Sequence, residues 1–514
     1  NGIVENYAPL KKELQDAGHK FLSMTDTEII PHLIEEGLKH TKSLEKAVAK
    51  AVSKLEGGNS IVVISTADKG TIVAARRGNS GGIAIGSGDN EMFVASDLPA
   101  LIPHTKTIQH LDAGEMAVIS PTNALYRDMK GNLLNKPYTE ISFDAQGTDK
   151  GAFDHFMLKE IYEQPKAISQ TFKDRVSFDK EQINFPDFPL SFEEINSLKK
   201  IVLVGMGSSL HAAMVGKTWL EQIAGIPAEW DHSSEFRYRE SVFQKETLLI
   251  SLTQSGETAD TLAAMLRAKE NLISQIVLSN YPGTQAERIA DKLLPIEAGP
   301  EIGVAATKTF TCSLSTLYLL SVFLGVKRGK LDQRKISSLI GNLSLLPELM
   351  TKYLSTDDHI REIANKYQEY PNFLFLGRGL NYPLAMEGAL KLKEVSYIHA
   401  EGYAAGEMKH GPISLIDRSM PVVGIMPSDS LRDKMLSSLN ESKARGARVL
   451  AIASESDKPV KEIVDDVIWL PDAPSDLNPI LAALPLQLLA YHIALLRGCD
   501  IDQPRNLAKS VTVE

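Results

Sequence analysis

Ile201-Val202-Leu203-Val204-Gly205-Met206-Gly207 and Phe373-Leu374-Phe375-Leu376-Gly377-Arg378-Gly379 are one short phrase, an apolar run closing on Gly-x-Gly, written twice 172 residues apart. A period this long exceeds any solenoid unit and marks a duplicated domain. The same offset carries the strand before Thr253 onto 421–425 and the run 292–296 onto 465–470, and each half closes on a long apolar stretch, 310–326 and 480–496. Strands alternating with helical stretches fold as parallel sheets sandwiched between helices. The repeat therefore predicts an α/β chain with two tandem three-layer α/β/α domains over 183–330 and 350–498, followed by a tail at 499–514.

Ahead of the repeat the pattern changes. Helical periodicity over 27–36 and 44–55 gives way to short β-rich pieces at 60–65, 71–76, 83–85, 91–94 and 115–119, separated by Gly, Asn and Asp. That predicts an α+β domain with antiparallel sheets over 1–142. The polar stretch Ala145-Gln146-Gly147-Thr148-Asp149-Lys150-Gly151 reads as a hinge, and a helix over 153–162 is expected to end before Pro165, so that 143–182 connects the parts. Three domains suit 514 residues at ~150 residues each.

Composition narrows the partners. A net charge of -10 with no basic block argues against nucleic acid. The two longest apolar stretches fall short of the ~20 residues of a spanning helix and carry Ser, Thr, Gln and His, so they read as buried helices and no membrane is expected. Cys312 and Cys499 are the only cysteines. With no C-x-x-C pair and no metal-ligand spacing, neither a disulfide framework nor a zinc site is expected, and a reducing cytoplasm fits. The sequence opens at Asn1 with neither an initiator Met nor an apolar leader, and reads as a fragment.

The chemistry concentrates at Thr253-Gln254-Ser255-Gly256-Glu257-Thr258, between the apolar run 248–250 and an amphipathic run over 259–268. A strand that empties into hydroxyls, an amide and a glycine before starting a helix presents donors to an anion. The plainer reading is a helix cap, but two hydroxyls, Gln254 and Gly256 together exceed what a cap requires. At the repeat offset Ser255 falls on Pro427, followed by Ser428 and Asp429; the proline lacks an N–H and the carboxylate repels phosphate. One phosphate site per pair of domains is expected. Gly205-Met206-Gly207-Ser208-Ser209-Leu210 resembles a dinucleotide turn only superficially, since Leu210 stands where its third glycine belongs.

Longer blocks give a family resemblance: Glu235-Phe236-Arg237-Tyr238-Arg239, the cradle, Glu301-Ile302-Gly303-Val304-Ala305-Ala306-Thr307-Lys308, Glu387-Gly388-Ala389-Leu390-Lys391-Leu392-Lys393-Glu394, Gly406-Glu407-Met408-Lys409-His410-Gly411-Pro412, and the tail from Asp502. In this order they resemble the glutamine-dependent fructose-6-phosphate aminotransferase family, whose catalytic part pairs two sugar-isomerase (SIS) domains. Asn1-Gly2-Ile3-Val4-Glu5-Asn6 and Thr25-Asp26-Thr27-Glu28 are similar to the later part of a class-II amidotransferase domain of the Ntn-hydrolase type. That domain uses an N-terminal Cys, and no Cys precedes Cys312. The resemblance thus implies a truncated domain whose nucleophile lies upstream and which does not hydrolyse glutamine, with Asn1 and Gly2 as oxyanion hole and Asp26 gripping the amino group of glutamine.

For the sugar, the resemblance implies that Ser208, Ser209, Thr253, Gln254, Ser255 and Thr258 hold fructose 6-phosphate, with Val304, Ala306 and Ala508 lining it. Met206 and Ala306 stand where relatives more often carry Cys and Ser. Lys391 and Glu394 share a helical face, where an anonymous helix would carry a surface ion pair; ketose-to-aldose conversion instead gives Glu394 the carbon-to-carbon proton transfer and Lys391 a supporting role. His410, by composition a turn residue, is assigned ring opening across a homodimer interface. Lys509, near the end of the sequence and otherwise solvated, would hold the ketone as an imine once the tail docks through Val511 and Val513. The implied reaction joins fructose 6-phosphate and ammonia from glutamine into glucosamine 6-phosphate, without metal or organic cofactor. Two rivals use the same domains: a sugar-phosphate-binding regulator, and a sugar-phosphate deglycase or deaminase. An amidotransferase remnant argues against both, because neither needs an ammonia source.

Overall fold

The computed structural model describes residues 2–96, 98–140, 149–240 and 242–512; Asn1, most of the expected hinge and Val513 lie outside them. The duplication is visible in the sheets. One five-stranded parallel sheet pairs Ala228–His232, Lys200–Gly205, Thr247–Leu252, Ser274–Ser279 and Lys292–Pro295 in that spatial order, and a second pairs His399–Ala404, Asn372–Gly377, Val422–Met426, Val449–Ser454 and Asp466–Leu470 in the same order. The strands are apolar on both faces, as sheets covered by helices on both sides require.

Strand register refines the repeat. Leu203 pairs with Ile250 in the first sheet and Phe375 with Val423 in the second, so the offset is 172 at the first strand and 173 at the next. It is 174 by Ile276 and Leu450. The counterpart of Ser255 is therefore Ser428, not Pro427, and Asp429 replaces Gly256. Asp429 is already committed, accepting from Asn381 Nδ2 at 3.0 Å and from Leu431 N–H at 2.7 Å. The second half therefore differs from the first at this turn.

The apolar stretches form the helices Lys308–Lys327 and Asn478–Leu496. Both are buried along most of their length, in one hydrophobic core that runs continuously through both halves. Between the halves lie two helices the sequence pattern did not announce, Gln333–Leu354 and Asp357–Tyr367. The helix expected over 153–162 starts at Phe156, and Pro165 does not end the helical region: it occupies the first turn of a second helix, Gln164–Phe172. Proline lacks only an N–H that has no partner there.

The N-terminal domain carries two antiparallel sheets, one built on Asn59–Ser65, Asp68–Arg77, Glu115–Ser120, Asn123–Asp128 and Leu133–Leu134, the other on Met92–Ala95, Ile83–Ser87, Thr107–Leu111 and Thr139–Glu140. The expected helix over 27–36 begins as a 3-10 turn and runs as Ile29–His40, packed on Leu44–Lys54.

Candidate active site

Two helices meet where the halves join. Ser208 opens the helix Ser208–Trp219 after the Gly-x-Gly turn, and its hydroxyl donates to Glu387 Oε1 at 2.8 Å. Glu387 lies on the helix Tyr382–Ser396 of the second half, with no solvent exposure. Its other oxygen lies 2.7 Å from His211 Nδ1, one turn after Ser208. Lys391, one turn further along the second helix and equally buried, places Nζ 3.6 Å from Glu387 Oε1 and 2.5 Å from Glu394 Oε2. The contact to Glu394 is an ion pair rather than an aligned hydrogen bond.

Burial alone would raise the Glu387 carboxyl, but the Lys391 charge and the His211 and Ser208 hydrogen bonds outweigh it and hold it below the ordinary carboxylate range. Burial likewise lowers Lys391, and Glu394 and Glu387 more than reverse that, so the ammonium persists. Lys391 and Glu394 are therefore no surface pair: they end a buried relay, and of the two only Glu394 keeps an open side, 21% exposed. Glu387 and His211 were not singled out in the sequence. The signal was there: Glu387, Lys391 and Glu394 place three charges at i, i+4 and i+7 on one face of an apolar helix.

In the cradle, Gly256 takes a left-handed φ of 70°, and an added Cβ would collide with the Thr284 side chain. Part of the capping reading holds. Thr253 Oγ1 accepts from Gly256 N–H and Ser255 Oγ from Glu257 N–H, both at 3.2 Å. Thr258, the residue preceding the helix Ala259–Glu270, makes no side-chain cap; its hydroxyl lies 3.3 Å from that of Thr253. The buried Glu257 accepts from Gln285, and Gln285 accepts in turn from Arg76 of the N-terminal domain, so the floor of the cradle is tied to another domain.

The tail docks over this loop. Ser510 Oγ sits 2.8 Å from Ser255 Oγ, Val511 O accepts from Ala259 N–H at 3.2 Å, and Thr512 O accepts from Gly81 N–H at 2.7 Å. The anchors are backbone groups and the buried Thr512, whereas the Val511 side chain stays in solvent. Docking brings Lys509 Nζ to 2.6 Å from Glu301 Oε2 and 2.7 Å from Gly303 O. Glu301 is wholly buried and accepts from Thr307 N–H, Thr309 N–H and the Thr309 hydroxyl at the start of Lys308–Lys327. Burial opposes its charge, but Lys509 and the Thr donors hold its carboxyl down at about 2. Val304 and Ala306 lie half-buried on the same loop, Val304 N–H bonding Asp502 O at 3.0 Å; Ala508 is exposed.

The buried Glu160, on Phe156–Tyr162, accepts from Ile302 and Gly303 N–H while Oε2 has no partner. Desolvation, and then the Glu301 charge, push its carboxyl up to about 8. His410 stands exposed at the end of the 3-10 turn Glu407–His410, without a hydrogen bond to the other site residues. Ser209 and Gln254 are half-buried at the two turns. In the N-terminal domain, Asp26 Oδ2 accepts from Val4 N–H at 2.6 Å, and Gly2 bridges Asn59. Asn1 is outside the described residues.

The SIS-domain family model matches residues 194–322 and 367–497, and a glutamine amidotransferase domain model matches 1–103. The chain is 44% identical to the glutamine–fructose-6-phosphate aminotransferase (isomerizing) of Thermococcus kodakarensis, over all of this chain and 84% of that protein. The enzyme of the same name from Aquifex aeolicus is also 44% identical, over all of this chain and 83% of its own length. Among solved structures, the C-terminal domain of glucosamine-fructose-6-phosphate aminotransferase from Francisella tularensis superposes with a TM-score of 0.66 at 38% identity, covering 70% of this chain and all of that one.

Proposed function

The chain belongs to the glutamine–fructose-6-phosphate aminotransferase (isomerizing) family, and on that premise we propose that it converts fructose 6-phosphate and ammonia to glucosamine 6-phosphate, the ammonia coming from glutamine only where the amidotransferase cysteine is present, with the sugar lying between the cradle, Glu394 and Lys509. Ser208, Ser209, Thr253, Gln254, Ser255 and Thr258 take the phosphate. His410 of a second copy of the chain opens the ring. The Lys509 amine adds to C2 and water leaves, giving an imine; ammonia displaces the lysine, and Glu394 removes a proton from C1 and returns one to C2 while Lys391 steadies the charge on the sugar oxygen. Val304, Ala306 and Ala508 line the sugar. In the N-terminal domain Asn1, Gly2 and Asp26 belong to the glutamine site. Two free cysteines suit a cytoplasmic location.

The observation that carries the reading is the clamp on Lys509: a lysine of the tail set against buried Glu301, beside the loop that bears Val304 and Ala306. The Lys509–Glu301 contact must part for the amine to attack, and substrate arrival supplies the occasion. Borohydride reduction in the presence of fructose 6-phosphate tests this. The chain should gain one hexose phosphate at Lys509, and Lys509→Ala should gain none; an undiminished adduct in the variant removes Lys509 from the mechanism. A regulator would bind the sugar without an adduct or product.

A further inference from the structure

We propose that His19, His32 and Glu35 form a binding site for one divalent transition-metal ion of the zinc class, at the foot of the loop that leads to Asp26. The residues come together because the chain after Tyr7–Asp16 folds back onto the helix Ile29–His40. His19 Nδ1 and His32 Nδ1 face each other at 3.0 Å, and Glu35 Oε2 lies 3.4 Å from the first and 3.9 Å from the second. Bonds of about 2.0–2.1 Å to a tetrahedral ion set its donor atoms roughly 3.3 Å apart. The sides of the triangle bracket that spacing, with the two rings largely buried and Glu35 open to solvent.

With both rings neutral, hydrogen bonding leaves this cluster unbalanced. His19 Nε2 lies 2.6 Å from Glu36 Oε1, so the proton belongs on that nitrogen and Nδ1 is an acceptor. His32 must then donate from Nδ1, which turns its Nε2 lone pair toward Glu28 Oε1 at 3.7 Å, while Glu35 Oε2 faces the lone pair of His19 Nδ1. An ion at the centre takes both Nδ1 lone pairs and the Glu35 oxygen together. His19 then points Nε2–H at Glu36, the outer-shell arrangement that orients metal-bound histidines, and His32 Nε2 faces Glu28 at the longer 3.7 Å. Glu28 is itself fixed by Leu22 N–H, Ser23 N–H and the Ser23 hydroxyl, so an ion here would staple 19–28 to the helix. A second proton on His32 is the competing solution, in which the charged ring is flanked by Glu28 and Glu35.

Calorimetric titration of the full chain with zinc chloride in a non-chelating buffer distinguishes the two, with circular dichroism as the check on folding. One saturable ion per chain is expected, with affinity reduced about 100-fold in His32→Gln and about 10-fold in Glu35→Gln, whose exposed side chain leaves the fold intact. Cobalt(II) in place of zinc should show the visible absorption of a tetrahedral centre. Absence of saturable binding overturns the proposal, as does binding that both variants leave unchanged. If His32→Gln does not fold, Glu35→Gln decides alone.

Discussion

Ser208 of the first sugar-isomerase half and Glu387 of the second are joined by a 2.8 Å hydrogen bond, and through Glu387 the first helix of one half reaches Lys391 and Glu394 of the other. Removing one partner of a buried charge group strands the rest, at a cost of about 3–5 kcal/mol. Glu387→Gln should lower unfolding stability in urea by that order, against about 1 kcal/mol for Ser208→Ala. Equal effects would mean that Glu387 does not hold the joint.

Glu394→Gln keeps the shape of the side chain and removes its basicity. Formation of glucosamine 6-phosphate should fall by about 10²–10⁴-fold, while the borohydride adduct at Lys509 persists. A variant that still places solvent deuterium on C2 of the product at the normal rate would show that another group moves the proton.

Thr258 contributes a hydroxyl that its own helix does not use as a cap. Thr258→Val should raise KM for fructose 6-phosphate about tenfold, the equivalent of roughly 1.4 kcal/mol, and weaken competitive inhibition by inorganic phosphate in parallel. Its melting temperature should stay near that of the parent chain; an unchanged KM would take Thr258 out of the phosphate site.

Glu160 and Glu301 predict opposite pH responses. Glu301, held at about 2 against an ordinary 4.5, contributes stability that is present above pH 4.5 and lost as pH falls toward 2. Glu160, raised to about 8, stays protonated when folded, so its contribution is complete below pH 4.5 and declines as pH rises to 8. Glu160→Gln should flatten the stability profile between those limits while leaving the acid limb of Glu301 in place. A profile identical to the parent's between pH 4.5 and 8 would disprove this.

Gly81 lies against the tail, and a Cβ there would strike the Thr512 side chain. Gly81→Ala should loosen the tail, seen as faster tryptic cleavage after Arg505 and Lys509 and a lower kcat. Cleavage at the parent rate would show that the tail is held elsewhere.

Strands were legible because unbroken Val, Leu and Ile runs leave few alternatives. The connecting helices Gln333–Leu354 and Asp357–Tyr367 were not, since no unbroken apolar run marks them. Register drifted unseen for the same reason: single-residue insertions in loops do not disturb the apolar runs. Lys391 and Glu394 were singled out through the resemblance, whereas Glu387, the second carboxylate on Lys391, shows its importance only when both halves are in place. The sequence showed no metal-ligand spacing at His19 and His32, because twelve intervening residues give no periodicity to notice.

The carboxylate of Glu387 also bears on how the duplicated halves relate to each other. Severed anywhere along Gln333–Leu354, the second piece would present to water a helix face bearing Glu387 and Lys391, and the first would leave His211 without its anion. Twin copies can be swapped or shed; these two cannot, because each now carries half of a single charge balance.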